Sequence, residues 1–399
     1  MKHFDYIITG AGGAGLSLIH HLCQTSLKDK RILIIDKDSK DSNDRTWCFW
    51  EQEPGPFEDI VYRSWNQLSF HSQTFSKDFE IAPFQYKMIR GIDFYRYVQE
   101  KTIEQSNIHW LKAEVNDIST EGERVLVKAA GQSYTADWCF NSILFQPINK
   151  KETNYLDQHF KGWVVQMEEH SFTPDRATLM DFRIAQEGET RFLYVLPIDS
   201  RRALIEVAIF SNNILASAEY DQILDQYIKE YISKKSYEVT HEEFGIIPMT
   251  DYPFTRTEGR VIHIGTAGGD TKASTGYTFW RMQRHLLQIV DQLVKTGIPA
   301  ITPTNWQKRF HLYDSTLLRV LEEEKMAGDA LFTYLFRKNP PQRLLRFLND
   351  ESNLAEELAL MSSVPTAPFL VAFVAELLKK RLPTPSNLPS WRFDPSAAV

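Results

Sequence analysis

One glutamate lies in a segment whose other residues are apolar and typical of a strand. Glu206 is the single charged side chain in ALIEVAIF, residues 203–210, and both faces of such an alternating strand are otherwise apolar. We therefore expect the strand to be covered on both sides. A buried carboxylate is costly unless it is paired, hydrogen-bonded or protonated. Two interpretations stay open: Glu206 pairs with Arg183 or Arg191, or it is an acid whose pKa is raised by its apolar surroundings.

A glycine-rich loop near the N-terminus has the spacing of a dinucleotide-binding turn. A short strand-like run precedes this loop and an apolar helical pattern follows it; the loop residues are Gly10, Ala11, Gly12, Gly13, Ala14 and Gly15. In this motif Gly10 permits the tight turn, Gly12 lets a pyrophosphate approach the backbone, and Gly15 lets the helix pack on the strand. Asp36 ends the next strand-like run, where its carboxylate can bind a ribose hydroxyl. This order of parts favours a dinucleotide site over a glycine-rich turn in an unrelated α/β protein.

A second segment, from Gly259 to Val290, favours FAD over NAD as the bound dinucleotide. It reads as a strand, a loop rich in glycine and threonine, and a long helix. Two-domain FAD proteins return to the nucleotide domain in this way, whereas NAD domains do not need to. The candidate contacts in this loop are Gly265, Thr266, Thr275 and Gly276. The alternative is a surface loop that happens to precede a helix.

These elements predict an α/β protein with a discontinuous, Rossmann-like FAD-binding domain. The FAD-binding parts are expected in residues 1–80, 81–150 and 256–300. Four strand-like runs between Trp163 and Phe210 predict that residues 151–255 form an inserted, largely antiparallel sheet that binds the substrate. The pattern in residues 301–399 is helical.

Composition and charge narrow the function classes. The 399 residues carry a net charge of −7, which argues against a nucleic-acid partner. The three cysteines form no CxxC pair and the histidines have no metal-ligand spacing, so we expect a reduced cytoplasmic protein without disulfides or a metal. No apolar run approaches the roughly 20 residues that span a bilayer. The apolar stretch Pro368–Arg381 either lies on a membrane surface or packs on the core.

Several stretches together resemble the bacterial lycopene β-cyclases, and the resemblance covers nearly the whole chain. Besides the strand with Glu206, they are DRTWCFWE (44–51), YKMIRGIDFY (86–95), LMDFRI (179–184) and IGTAGGDTKASTGYTF (264–279). The resemblance implies an aromatic-hydroxylase-type FAD fold and the cyclisation of the linear ends of lycopene into β-ionone rings. It also implies reduced FAD without net redox change, with NAD(P)H as the external reductant. A lipophilic substrate implies peripheral contact with a membrane.

The same resemblance makes the carboxylate at Glu206 the acid that protonates an alkene carbon. Asp181, in a neighbouring apolar run, is a second carboxylate that could orient Glu206 or accept the final proton. Arg45 and Arg90 are candidates for flavin phosphate or ribityl groups, with surface salt bridges as the alternative. Aromatic faces that could stabilise a cation, unless they serve only in core packing, are Trp47, Trp50, Tyr194, Tyr277 and Phe279.

Two other functions remain open on the sequence alone. The first is an FAD-dependent oxidoreductase, a monooxygenase or a polyprenyl reductase, acting on a long isoprenoid. The second is a carotenoid-binding protein that keeps a flavin but does not react. Mass and absorption together distinguish all three: cyclisation leaves the mass of lycopene unchanged but shortens its chromophore, an oxidoreductase adds oxygen or hydrogen, and a binding protein gives no product.

Overall fold

A computed structural model describes residues 2–145, 148–302 and 304–379. Its strands, in chain order, are β1 (Lys2–Thr9), β2 (Ile32–Asp36), β3 (Thr46–Glu51), β4 (Arg63–Trp65), β5 (Gln67–Ser72), β6 (Phe75–Glu80), β7 (Gln85–Arg90), β8 (Ile108–Lys112), β9 (Val115–Glu121), β10 (Arg124–Ala129), β11 (Gln132–Asn141), β12 (Tyr155–Met167), β13 (Arg176–Asp181), β14 (Thr190–Pro197), β15 (Arg202–Ser211), β16 (Tyr237–Thr250), β17 (Thr257–Glu258) and β18 (Val261–His263). Its helices are α1 (Gly13–Cys23), α2 (Gly91–Thr102), α3 (Ser217–Tyr227), α4 (Phe279–Thr296), α5 (Asn305–Glu322), α6 (Gly328–Lys338), α7 (Pro341–Leu348), α8 (Leu354–Met361) and α9 (Thr366–Lys379).

The first sheet carries the glycine-rich loop. Its strand order is β17-β18-β11-β1-β2-β8, with β9 and β10 added as a hairpin on β11. The central strand β1 is parallel to both β2 and β11, and its Ile7 and Ile8 side chains, on opposite faces, are fully buried. Strands covered on both faces are the rule in parallel sheets. Helices α1 and α4 pack on one face, so the two predicted nucleotide segments meet in one layer.

The second sheet has seven strands in the order β16-β12-β15-β14-β13-β5-β6. All its pairs are antiparallel except β13 with β5. Residues 67–80, which the sequence placed with the FAD-binding part, form β5 and β6 of this second sheet instead. That assignment was wrong because β5 pairs with β13, more than a hundred residues later, and no local pattern indicates such a partner.

Both faces of the second sheet are covered, as the apolar pattern around Glu206 predicts. Helix α3 covers one face. Helices α5, α6, α7 and α8 contribute to the large core on the other face, where Phe70 and Phe336 stack at 4.4 Å between ring centroids. A small third sheet, in the order β3-β7-β4, lies at the edge of both larger sheets' cores.

The predicted helical C-terminal region consists of α5 to α9, and its residues 380–399 lie outside the described part of the chain. Helix α9 contacts α5 through Glu376, which is 1% exposed and accepts a hydrogen bond from Arg319. Its opposite face leaves Leu370, Val371 and Leu378 more than half exposed. Within residues 2–145, 148–302 and 304–379, none of the helices is both long and apolar enough to cross a membrane.

Candidate active site

Two cavities adjoin one another between the sheets. The central cavity, about 500 Å³, lies between the two glycine-rich loops and the second sheet, with Gln158, Glu206 and Glu243 in its sheet wall. The apolar cavity, about 280 Å³, lies between that sheet and helices α5 to α9. Tyr194 and Tyr277 line both. Each volume is near or within the range of small-molecule sites in proteins, about 300–1,000 Å³.

The first glycine-rich loop has the geometry that a dinucleotide needs. Gly10 has a φ of +90°, which favours glycine, and a Cβ on Gly15 would lie 2.0 Å from the Gly10 carbonyl oxygen. A Cβ on Gly12 would meet no atom within 4 Å, so this backbone is open to a ligand. Helix α1 starts here without a side-chain cap or an acidic residue in its first turn, which leaves N–H groups for a phosphate.

Asp36 supports the loop directly. Its carboxylate accepts hydrogen bonds from the backbone N–H groups of Ala11 and Asp38, while Lys40 lies 3.9 Å away. Two carboxylate oxygens offer about four acceptor sites, so acceptor capacity is left for a ribose hydroxyl.

The second loop reaches the first. Gly265 has a φ of +62°, and a Cβ there would lie 2.8 Å from the Ala14 Cβ, while Thr266 lines the central cavity. Asp270 closes this loop by accepting from the Gly265 N–H at 2.8 Å and pairing with Arg256 and His285. Burial alone would raise the pKa of Asp270, but the charges of His285 and Arg256 hold it at about 2. This aspartate therefore positions the loop and does not face the central cavity.

Gln158 lines the central cavity, although no sequence pattern pointed to it. It is 6% exposed, and its Oε1 atom has no hydrogen-bond partner among the described residues. A Cβ on Gly276, where φ is +73°, would lie 2.1 Å from this oxygen, so only glycine fits beside it. Buried polar atoms normally have partners. An orphaned acceptor in the wall between Thr275 and the sheet fits a ligand that carries hydrogen-bond donors.

Glu206 lies in the wall of the central cavity, near the middle of the second sheet. It is opposite Tyr194 on β14 and Gly162 on β12. The side chain is only partly exposed, and it borders the cavity. Burial raises the pKa of Glu206 well above its usual range, and the nearby Glu243 raises it further. The arginine alternative is excluded: Arg183 pairs with Asp181, and Arg191 pairs with Glu189.

Glu243 is a second candidate residue that the sequence did not indicate. It is opposite Gly162 from the other side, on β16, and is 6% exposed. Its Oε2 accepts a hydrogen bond from the Thr46 hydroxyl at 2.8 Å. Burial raises the pKa of Glu243, while the hydrogen bonds with Thr46 and Glu206 oppose that rise. The only sequence signal was a carboxylate two residues before the glycine in HEEFG, and the pairing across β12 could not be read from it.

Asp181 does not belong to this site. It is opposite Leu193, whose side chain points to the face covered by α3, whereas Tyr194 and Glu206 point to the other face. Burial raises the pKa of Asp181, but hydrogen bonds from Arg183 and Tyr227 hold that pKa below its usual value. The proposed role in orienting Glu206 is corrected accordingly, because the sheet itself separates the two carboxylates.

The five aromatic candidates all line a cavity. Trp47 and Phe279 border the central cavity, Trp50 borders the apolar one, and Tyr194 and Tyr277 border both. Trp50 packs edge-on against Tyr277 at 4.8 Å between centroids. The Tyr277 hydroxyl lies 3.5 Å from that of Tyr194. These two tyrosines therefore stand at the junction of the cavities.

The two arginine candidates differ. Arg45 lines the central cavity and bonds to the carboxylate of its neighbour Asp44. Arg90 pairs with Asp93 at 2.6 Å and lies over the ring of Tyr62, so it does not reach the cavity. Of the two, only Arg45 is placed to contact a bound cofactor.

Comparison with known families matches residues 5–373 to the model of the lycopene cyclase protein family. The chain belongs to this family. It is 24% identical to a lycopene beta-cyclase of Pantoea ananas over 95% of this chain and 99% of that protein. It is also 24% identical to a chloroplastic neoxanthin synthase of Solanum tuberosum, but that match covers 73% of the chain and only 61% of the relative's length.

Solved structures show the same fold at low identity. A geranylgeranyl bacteriochlorophyll reductase-like protein from Thermoplasma acidophilum superposes with a TM-score of 0.61 at 11% identity, over 94% of this chain and 97% of that one. A flavin-dependent brominase gives 0.60 at 14% identity, over 96% and 100%. A p-nitrophenol 4-monooxygenase from Pseudomonas putida gives 0.57 at 15% identity, over 92% and 99%. The expected fold class, a two-domain flavoprotein architecture with an added antiparallel sheet, is confirmed.

Proposed function

We propose that this lycopene cyclase family member is a lycopene β-cyclase that uses reduced FAD and closes the linear ends of lycopene into β-ionone rings. The observation that carries the proposal is the position of Glu206. Its carboxyl group, whose pKa burial raises well above the usual range, lies in a cavity wall between the two glycine-rich loops and a cavity lined by apolar side chains. The match to a lycopene beta-cyclase over nearly its full length supports the same substrate.

The residues present fit FAD. The loop from Gly10 to Gly15 and the start of α1 would hold the pyrophosphate, with Asp36 near the ribose. Thr266, Thr275 and the orphaned Gln158 oxygen would face the remainder of the cofactor across the central cavity. When bound there, reduced FAD would supply a negative charge that stabilises a carbocation, and its reduction would need an external reductant, for which we propose NAD(P)H.

The chain's own residues supply the acid and the dry environment. Glu206 gives its proton to an alkene carbon at one end of the substrate, and the tertiary cation that forms is attacked by the next double bond. Loss of a proton from a neighbouring carbon completes the ring and leaves the mass unchanged. Tyr194 and Tyr277 present ring faces at the cavity junction, and an aromatic face contributes about 0.5–2 kcal/mol to cation stabilisation. The rest of the polyene would lie in the apolar cavity.

We also propose that the protein takes its substrate from a membrane surface. Exposed apolar side chains cluster on the last two described helices; they are Leu354, Leu358, Leu370, Val371, Val374 and Leu378. Leu370 also lines the apolar cavity, so this surface and the cavity adjoin. Contiguous apolar patches on otherwise polar proteins commonly mark lipid or protein contacts.

The test is to incubate the purified protein with lycopene in liposomes, FAD and NADPH, and to measure product mass and absorption. Cyclisation predicts unchanged mass and a shortened chromophore. In D₂O each ring should carry one deuterium, because the exchangeable Glu206 proton becomes a carbon-bound hydrogen. A gain of oxygen would indicate a monooxygenase, and a gain of hydrogen without ring closure would indicate a reductase. Bound but unchanged lycopene would leave a carotenoid-binding protein.

A further inference from the structure

We infer that Glu206 and Glu243 form one carboxyl–carboxylate pair that holds a single proton across Gly162, with Glu243 as the residue that keeps Glu206 protonated and oriented. The inference rests on the proposed function, since it assigns a positioning residue to the same reaction. It goes beyond that function because it makes the acid a pair of residues on two strands.

The register of three strands creates the pair. Gly162 of β12 is opposite Glu206 of β15 on one side and Glu243 of β16 on the other. The outer two strands are therefore separated by two strand spacings, about 10 Å. Two glutamate side chains can meet over that distance only if they extend towards each other above the middle strand.

Gly162 leaves the space in which they meet. A Cβ at this position would lie 3.1 Å from the Glu243 Cγ, 3.4 Å from the Glu206 Cβ and 2.9 Å from a methyl carbon of Leu204. Its backbone has no left-handed conformation that would by itself require glycine. The absence of a side chain thus serves the contact between the carboxyl groups and the packing around it.

The surrounding groups decide which carboxyl carries the proton. Thr46 donates a hydrogen bond to Glu243, which favours the charged form there. Glu243 raises the pKa of Glu206 through its charge and through a side-chain hydrogen bond, which favours the protonated form at Glu206. Two carboxylates this close cannot both ionise easily, as in other carboxyl pairs that share one proton. The proton therefore resides on Glu206, which donates to the Glu243 carboxylate.

The other titratable groups that face Glu206 carry no negative charge that could take the place of the Glu243 carboxylate. Cys48 from β3, Tyr194 from β14 and Tyr277 face Glu206, and burial raises the pKa of each, so all three are neutral near pH 7. His241 and Asp44 act on Glu243 with opposite signs. The negative charge nearest to Glu206 is thus that of Glu243.

The reaction balances with this pair. The proton leaves Glu206 for an alkene carbon, and the cation forms beside two carboxylates. After ring closure a carbon–hydrogen bond breaks, its electrons form the ring double bond, and the proton returns to the pair. No electron is gained or lost.

The test is the pH dependence of kcat/KM in the wild type and in Glu243→Gln. Glu206 works in its protonated form, so activity falls as pH rises through its pKa. Removing the charge at position 243 removes the repulsion that opposes ionisation of Glu206. The alkaline limb should therefore move to lower pH by roughly one unit or more. An unchanged limb, or an unchanged rate at every pH, would overturn the inference.

An infrared titration without substrate gives a second readout. The carbonyl band of a protonated carboxylic acid should persist in the wild type above the usual pH range of glutamic acid, and in Glu206→Gln it should lose the contribution of one carboxyl group. In Glu243→Gln it should disappear at lower pH than in the wild type. If the wild type forms no cyclised product, the proposed function fails, and this titration alone decides whether the pair exists.

Thr46→Val keeps the inference testable if Glu243→Gln does not fold. Losing the hydroxyl raises the pKa of Glu243, so more carboxylic acid should be present in the infrared spectrum at a given pH. Thr46→Ser is the matched control, because it keeps the hydroxyl and should restore the wild-type titration. Identical titrations of Thr46→Val and the wild type would contradict the assignment of the proton.

Discussion

A carboxyl group that protonates an alkene meets two opposing demands. It must hold its proton at neutral pH, which requires a raised pKa, yet a raised pKa makes it a weaker acid. In this protein burial and Glu243 satisfy the first demand at Glu206. A weak acid can still protonate an alkene if other groups stabilise the cation that forms. The ring faces of Tyr194 and Tyr277, which border the same cavity, are placed for this. In the mechanism that we propose, these surroundings offset the low acidity of Glu206.

Glu206→Gln tests the acid directly. The amide has nearly the same shape but cannot donate the proton, so we expect cyclisation to fall by at least about 10²–10⁴-fold, the usual contribution of general acid catalysis. Flavin absorption of the purified protein should be unchanged, because the glycine-rich loops are intact. Full activity in this variant would remove Glu206 from the mechanism.

Gly162→Ala tests the space between the two carboxyl groups. The new Cβ would crowd the Leu204 methyl at 2.9 Å and the Glu243 Cγ at 3.1 Å. Overpacking of this kind costs about 1–3 kcal/mol of the free energy of unfolding, which denaturant titration measures. Adding Leu204→Ala relieves the contact with Leu204 only. The double variant keeps the contact with Glu243, which displaces that side chain from Glu206, so its alkaline limb should move to lower pH as in Glu243→Gln. A wild-type pH profile in the double variant would contradict the role of the gap.

At the scale of elements, the strands and loops differ in how far the sequence predicts them. The loop from Gly10 to Gly15 and the apolar run around Glu206 follow local rules, and both have the predicted form. The contact of Glu206 with Glu243 depends on register across β12, where the pairing with β16 shifts between Val164 and Val165. No period-two pattern determines that shift. For the same reason the face of Asp181, next to an irregularity in β13, could not be assigned from sequence.

Helix α9 carries the prediction about membranes. Val371 and Leu378 are each 58% exposed and lie seven residues apart, on one face of the helix. Val371→Asp with Leu378→Asp should weaken sedimentation with liposomes and raise the KM for liposomal lycopene, without changing flavin binding. Leu287→Asp with Val294→Asp is the matched control, since these two residues of α4 are each 45% exposed and also lie seven residues apart. Equal loss in both variants would show a general effect of added charge.

At the scale of the whole molecule, the site exists only where several parts meet. The central cavity takes residues from the first sheet's loops, from β3 and from the second sheet, and the apolar cavity adds the C-terminal helices. The sequence predicted a glycine-rich nucleotide loop, an antiparallel sheet and a helical C-terminal region, because each has a local pattern. It could not predict that β5 and β6 join the second sheet, since that pairing is a long-range contact. The site therefore depends on links between parts that are distant in the chain.

Lys272 is such a link, because it joins the second glycine-rich loop to the C-terminal helices. It is fully buried and pairs with Asp314 of α5 and with Asp350 beyond α7. In Lys272→Met the two carboxylates would keep Arg281 as an ion-pair partner. The Arg281 guanidinium lies 3.6 Å from the Asp314 carboxylate and 3.4 Å from that of Asp350. Breaking a buried pair costs about 3–5 kcal/mol. Arg281 should limit the loss in unfolding free energy to the lower end of that range.

Lys272→Met should affect the apolar cavity, which we propose binds the substrate, more than the central cavity, which contains Glu206. Hydrogen exchange should rise in the segments around Thr275 and α5, and the KM for lycopene should rise more than kcat falls, since Glu206 is untouched. Lys295→Met is the matched control: its pair with Asp291 is largely exposed, so it should change stability by less than about 0.5 kcal/mol. If the exchange of Lys272→Met equals that of the control, the apolar cavity does not depend on this link, and the C-terminal helices are held by their apolar core alone.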